Sequence, residues 1–289
     1  MRITRARTPQ PYHARPVDAA EPQNRYRRDA TDATRGPMGD SVQFDAAKGQ
    51  EGLEEHYEQW FARIASDFRA TSLNQLIVSL TPPGRVLDIG CGSGALSAEL
   101  LAEGRDVTSQ DLSERMVAMC KKLLEKRSLR QDQVRLGGVE EITERDHFDA
   151  VIALDVIEHI EDDVGAVSRM REALKPSGTL ILSVPALSFL YGPKDVEVGH
   201  FRRYDRAKLL EVVTRAGFEV TSVRWWNVLG ILPVWLSNLR GKRLDEGVRY
   251  GDSMGKRLLN GGLRLWFRAV ENPLKPPLGM TLILTARPK

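Results

Sequence analysis

Cysteine is nearly absent from this chain of 289 residues: only Cys91 and Cys120 occur. A secreted scaffold built on disulfides is thereby excluded. No apolar run reaches the roughly 18–20 residues needed to cross a bilayer. The N-terminal residues carry arginine but lack the apolar stretch of a secretory signal. Arg27-Arg28 leads into Asp29-Ala30-Thr31 rather than an apolar stretch, so no twin-arginine export signal is expected. Charge of one sign is also scarce. The net charge is +3, too small by itself to argue for nucleic acid. A reducing cytoplasm is the expected compartment. What is present is ordinary for a folded protein: 42% hydrophobic and 28% charged residues, with length enough to bury a full core.

Residues 1–45 are rich in Arg, Pro, Asp, Thr and Gln, and their apolar residues have no period, so a disordered tail is expected. Its basic start (Arg2, Arg5, Arg7, Arg15) resembles a mitochondrial leader, yet acids follow from Asp18 and serine is almost absent, which favours a solvated tail. A helical lead-in is expected over residues 46–84. Tyr57, Trp60, Phe61, Ile64 and Phe68 recur at helical spacing, Leu73, Leu76, Ile77 and Leu80 continue it, and Thr81-Pro82-Pro83-Gly84 ends it.

From residue 85 to 289 short β-branched runs alternate with amphipathic helices. Strands are predicted at Arg85–Ile89, Asp106–Gln110, Gln133–Leu136, Phe148–Leu154, Gly178–Val184, Phe218–Arg224 and near Met280–Thr285. Helices are predicted near 94–103, 113–127, 161–174 and 205–216, with Ser113 and Asp205 as N-caps and Gly217 as a C-cap. Such alternation predicts an α/β, doubly wound Rossmann-like sheet covered on both faces.

Val86-Leu87-Asp88-Ile89-Gly90-Cys91-Gly92-Ser93-Gly94 is an apolar strand entering a glycine-rich turn and then a helix. In a doubly wound sheet that turn lies at the carboxyl ends of the strands, where ligands bind. Gly90, Gly92 and Ala95 satisfy the dinucleotide fingerprint, and Asp111 stands where a ribose-binding acid would. Asp88 argues against a pyrophosphate, because like charges repel in a partly dry cleft. A cationic ligand suits it better, and S-adenosylmethionine has an ammonium and a sulfonium but no phosphate.

These residues resemble the class I S-adenosylmethionine-dependent methyltransferases. The run from Val86 to Gly94 is similar to that family's first motif, and Ser109 to Met116 to its second, the acidic strand end that grips the ribose. Residues 148–160 resemble the fourth-strand motif and 174–185 the fifth. The resemblance implies a seven-stranded sheet of order 3-2-1-4-5-7-6 with strand 7 antiparallel. It also implies cofactor contacts from Asp88, Gly90, Cys91, Gly92, Gly94, Asp111, Leu112, Met116, Leu154 and Asp155. The third motif departs from the family pattern: glycine stands at 138 where an acid is usual. Adenine contacts there are expected from the backbone of Gly138 and Val139, or from Glu140.

Methyl transfer is an in-line displacement that erases the charge on sulfur, so positioning and a dry site supply much of the catalysis. A base is needed only when the acceptor must lose a proton. His159, after the fourth strand, and His200, in Gly199-His200-Phe201-Arg202-Arg203-Tyr204, are the candidates. His159 could equally cap its own loop. Arg202, Arg203 and Tyr204 are candidate acceptor contacts, since Arg suits carboxylate and phosphate; a solvated charged loop is the alternative. No metal site is expected. The segment His56 to Phe61 resembles an aromatic lead-in helix of a bacterial subgroup, with core packing as the alternative.

The insert 227–278 carries nine Lys or Arg against four acids, hence +5, and leaves −2 on the rest of the chain. Val228–Leu239 is apolar but interrupted by Pro233. Along 254–271, Leu258, Leu259, Leu263, Trp266, Phe267 and Val270 share one helical face, while Arg257, Asn260, Arg264, Arg268 and Glu271 take the other. This pattern fits a helix on an anionic membrane, or a lid or dimer helix. Gly261 and Gly262 weaken it. Quinone-pathway methyltransferases resemble the arrangement, which makes a small, apolar or lipid-like acceptor and O-methylation the favoured expectation, with peripheral association at the inner membrane face. A nucleic-acid methyltransferase is the alternative, disfavoured because Leu154-Asp155-Val156-Ile157-Glu158-His159 lacks an Asn/Asp-Pro-Pro-Tyr/Phe signature. A cofactor-binding module without chemistry and a dinucleotide oxidoreductase are further alternatives.

Overall fold

The computed structural model describes residues 68–239 and 254–289. The expected tail, the segment His56 to Phe61 and the charged stretch 240–253 lie outside the described residues.

Helix α1 (Phe68–Leu80) leads into β1 (Arg85–Ile89), α2 (Ala95–Ala102), β2 (Asp106–Asp111), α3 (Glu114–Lys126), β3 (Val134–Leu136), β4 (Phe148–Leu154), α4 (Asp163–Ala173) and β5 (Leu174–Pro185). After these come α5 (Pro193–Glu197), α6 (Arg206–Arg215), β6 (Phe218–Trp226), α7 (Ile231–Leu239), α8 (Met254–Trp266) and β7 (Thr281–Pro288). The seven strands form one sheet in the order β3-β2-β1-β4-β5-β7-β6, with β7 antiparallel to both neighbours. This is the architecture that the resemblance implies.

Strand alternation explains why both faces are covered. Along β4, Val151 and Ala153 point into a core shared with Val167 and Met170 of α4 and Val212 and Val213 of α6. Ala150 and Ile152 point the other way, toward Leu76 and Ile77 of α1, Leu100 of α2 and Phe267. Successive strand residues face opposite sides, so a doubly buried strand must be apolar throughout. A third cluster packs Cys91 and Ala98 against Val117, Cys120 and Leu124 of α3.

Several boundaries differ from expectation. Strand β5 begins at Leu174, inside the predicted helix, because Leu174 pairs with Phe148 and the register shifts before Thr179 pairs with Ala150. Ser113 caps α3 by accepting the Met116 N–H at 3.4 Å. Asp205 precedes α6 but makes no cap bond; its carboxylate accepts the Ser188 N–H at 3.1 Å and the Ser188 hydroxyl at 2.5 Å. Gly217 follows α6 with φ +88°, as a C-terminal glycine should. Pro233 does not interrupt α7, because it sits in the first helical turn, where its missing N–H costs nothing.

In the insert, α8 is continued by a π-helical turn, Phe267–Glu271. Glu271 is buried, contrary to the expected polar face. Its carboxylate accepts the N–H groups of Asn227 and Val228 at 2.7 Å each, tying the turn to the end of β6. Leu263 and Trp266 pack against the core, whereas Leu258 and Leu259 remain exposed. The expected apolar face is therefore divided between the domain and solvent.

Candidate active site

The carboxyl ends of the parallel strands β1, β2 and β4 lie side by side at one edge of the sheet and form one half of the candidate site. Asp88, at the end of β1, is buried and accepts the Ser97 hydroxyl at 2.6 Å; Ser97 accepts in turn from Ser109 at 2.8 Å. Burial pushes the Asp88 carboxyl up to about 7, with the Ser97 hydrogen bond opposing and the Asp111 charge assisting. In the following turn the N–H groups of Gly90 and Cys91 both donate to the Gln110 carbonyl, at 2.8 and 3.1 Å.

Two glycines have different jobs. A Cβ at Gly94 would stand 2.5 Å from the Cys120 sulfur, so this glycine lets α2 pack on α3. A Cβ at Gly92 would meet nothing within 4 Å, so this glycine, at φ +54°, faces open space that a ligand can approach.

Asp111 locks the turn. One carboxylate oxygen accepts the Gly92 N–H and the other the Ser113 N–H, each at 2.9 Å. Each oxygen keeps a further lone pair for a ligand hydroxyl. Leu112 is exposed beside them and stands over Gly138, where a Cβ would lie 2.9 Å from its Cδ2. Gly138 donates its N–H to Glu141 at 2.8 Å, and its carbonyl accepts from Gln110. The glycine at 138 thus coincides with a close approach of the exposed Leu112 side chain. Val139 is core and Glu140 is exposed. Met116 lies in the first turn of α3, half-buried. Asp155 follows Leu154 at a left-handed φ of +53° and accepts the Ser183 hydroxyl at 3.3 Å.

The second half of the candidate site is assembled from two distant segments. A 3-10 turn after β4, Ile157–His159, presents Glu158 and His159. The loop after β5 returns to it: the Phe201 N–H donates to the Glu158 carbonyl at 2.8 Å, and Tyr204 pairs with Ala186. The rings of His159 and His200 meet edge to face with centroids 4.6 Å apart. Glu158 is fully buried, and neither of its carboxylate oxygens accepts a hydrogen bond from another residue among those described. Burial and the Asp155 charge raise its carboxyl well above the ordinary range, while burial and then His200 lower His159. No metal ion was expected from the sequence, yet Glu158, His159 and His200 offer ligand atoms all within 4.8 Å of one another. A carboxylate and two imidazoles can hold a divalent cation such as Zn2+.

The residues expected to contact the acceptor have partners within the protein. Tyr204 is fully buried and donates its hydroxyl to Asp163 at 2.9 Å. Arg202 pairs with the same Asp163 at 2.7 Å and donates to the Glu161 carbonyl. Arg203 binds Asp195 and the Ala186 carbonyl. All three brace the loop from within. Sequence reasoning missed Glu158 and Asp195. The first had a signal, its position beside His159; the second had none, since no periodicity relates it to His200.

A family model described as a methyltransferase domain matches residues 56–223, more than half of the chain. The chain belongs to this family of S-adenosylmethionine-dependent methyltransferases. The fold agrees: a methyltransferase structure from Thermotoga maritima matches with a TM-score of 0.53, covering 81% of this chain and 96% of its own at 22% identity. The chain is also similar to ubiquinone biosynthesis O-methyltransferases. That of Bradyrhizobium diazoefficiens is 40% identical over 99 residues, 34% of this chain and 39% of the relative. That of Xanthomonas campestris is 36% identical over 104 residues, 35% and 43% respectively. The chain spans under half the length of these curated relatives. The open approach at Gly92, the spare lone pairs of Asp111 and the acidic strand ends fit the cofactor, which carries two positive charges beside its ribose.

Proposed function

We propose that this methyltransferase O-methylates a small, apolar or lipid-like acceptor bearing a hydroxyl group, a reading supported by its similarity to ubiquinone biosynthesis O-methyltransferases. The observation that carries the reading is the Glu158–His159–His200 cluster. Gly90 stands against Val156, two residues before Glu158, so the cluster adjoins the cofactor turn. When bound, S-adenosylmethionine supplies a methyl group made electrophilic by its sulfonium. Asp111 would hold the ribose hydroxyls, Gly92 would allow close approach, and Asp88 would face the cationic portion. His200, or a cation held with Glu158 and His159, would lower the cost of removing the acceptor's hydroxyl proton.

Exposed apolar side chains support a lipid-like acceptor. Leu232, Trp235 and Leu239 line α7, Phe189 lies in the loop whose Leu190 carbonyl accepts from Asn238 of α7, and Leu258 and Leu259 lie on α8. Among the described residues no helix is long and apolar enough to cross a membrane. Such a surface suits peripheral contact with an anionic bilayer, given the insert's positive charge.

The test is methyl transfer from isotopically labelled S-adenosylmethionine to a catechol bearing a prenyl chain, compared with an amine acceptor and with RNA. Label on the catechol oxygen is expected; label on the amine or the RNA alone would overturn the reading. Replacing Leu232 and Trp235 by serine should release the protein from phosphatidylglycerol vesicles. Unchanged co-sedimentation would remove the membrane part.

A further inference from the structure

Asp195 belongs to neither expected site, yet it is 2% exposed and carries an unusual load. Its Oδ2 accepts the Gly192 N–H at 2.9 Å and the Arg203 Nε–H at 2.9 Å. Its Oδ1 accepts the Arg203 Nε–H at 2.9 Å and lies 2.9 Å from Nδ1 of His200. The His200 backbone N–H also donates to the Asp195 carbonyl at 2.8 Å. A guanidinium on both oxygens and the Gly192 N–H on one hold this carboxyl as the anion.

An ionised carboxylate only accepts hydrogen bonds. The proton shared with His200 therefore resides on Nδ1, and Nε2 carries the lone pair. Nε2 is the atom turned toward Glu158, 3.9 Å from its Oε1, beyond hydrogen-bond reach. The buried Glu158 carboxylate beside it has no donor from another described residue. Three electron-pair donors thus converge, and one of them owes its tautomer to Asp195.

We propose that Asp195 is a positioning residue: it keeps the His200 proton on Nδ1 and thereby presents the Nε2 lone pair, with Glu158 and His159, to a single divalent cation. Arg203 completes the device by keeping Asp195 ionised. A carboxylate behind a ligating histidine fixes both ring orientation and tautomer, and its loss weakens metal binding by about 10–100-fold. The inference rests on reading this cluster as the acceptor-activating site.

Five histidines make the chain tractable by nitrogen-15 NMR of the imidazoles, and His200→Gln identifies the His200 signals. In its neutral form, wild-type His200 should be protonated on Nδ1 and bare on Nε2. Asp195→Asn keeps the volume but can turn its amide toward His200, so the Nε2-protonated form should appear. Zn2+ titrated calorimetrically should bind this variant about 10–100-fold more weakly, with S-adenosylmethionine affinity unchanged. An Nε2-protonated ring in the wild type overturns the proposal. So does an unaltered tautomer in Asp195→Asn, or Zn2+ binding that is equal in both proteins or absent from the wild type. Should Asp195→Asn fail to fold, the wild-type spectrum and its Zn2+ titration still decide. None of these readouts needs an acceptor, so a failure to methylate hydroxyl groups would overturn the proposed function and leave this result standing.

Discussion

The two halves of the candidate site are built by different means. The cofactor half is made largely of backbone: a glycine turn, two N–H groups on one carbonyl, and an aspartate gripping two more. Its parts lie within about one βαβ unit, so local chain geometry assembles it. The histidine half is made of side chains from residues 158–159 and 195–203. Its carboxylates and imidazoles depend on a buried network for their charge and direction. Backbone cradles tolerate little change in shape; side-chain clusters tolerate little change in charge.

Substitutions can break that contrast at several points. The largest effect is expected at Gly94→Ala, where the new Cβ meets Cys120, including its backbone Cα at 3.1 Å, at a φ of +82°. Overpacking and left-handed strain together should cost about 4 kcal/mol, read as a fall in the denaturation midpoint. Gly92→Ala meets no atoms and should cost only about 1 kcal/mol of stability while weakening cofactor binding; equal destabilisation of both variants would erase the distinction.

Asp111→Ala removes the acceptor for Gly92 and Ser113 as well as the proposed ribose contact. S-adenosylmethionine affinity should drop about a hundred-fold by calorimetry, and unchanged affinity would contradict the role given to this residue.

Glu158→Gln tests the other half. A neutral amide is cheaper to bury than an unpartnered carboxylate, so the apo protein should gain about 1–2 kcal/mol in urea unfolding while methyl transfer falls at least about tenfold. Lost stability with unchanged turnover would make Glu158 a structural residue.

The smallest effect is a pH dependence. Asp88 is raised in the folded state, so the apo protein binds its proton more tightly than the unfolded chain does. Stability from this group should decline as pH rises from the ordinary carboxylate range through about 7. Affinity for the cationic cofactor should rise over the upper part of that window, as the anion forms. Asp88→Asn should flatten both curves, and a wild-type affinity independent of pH would show that Asp88 does not face the cofactor's charge.

The strands, the glycine turn and Asp111 were legible in the sequence because each rests on short-range spacing: period-two strands, helical repeats, a turn that only glycine permits; the order of the strands came only from the family resemblance. Gly138 was legible as a departure but not as a reason, since the close approach of Leu112 lies across a gap of 26 residues in the chain. Arg202, Arg203 and Tyr204 were visible as charged and aromatic residues in the right loop, yet their direction was not; Asp163 and Asp195 take them inward. The insert's charge excess was readable, whereas the burial of Glu271 was not, because its partners Asn227 and Val228 are more than forty residues away.

The sequence by itself determined the α/β architecture and the cofactor turn, because hydrophobic periodicity and backbone freedom are local properties. Only the tertiary structure decided that Glu158, His159 and His200 meet, and that Asp195 stands behind them. A side chain's charge, tautomer and direction are set by whatever the fold brings alongside it, and no local spacing encodes that neighbour.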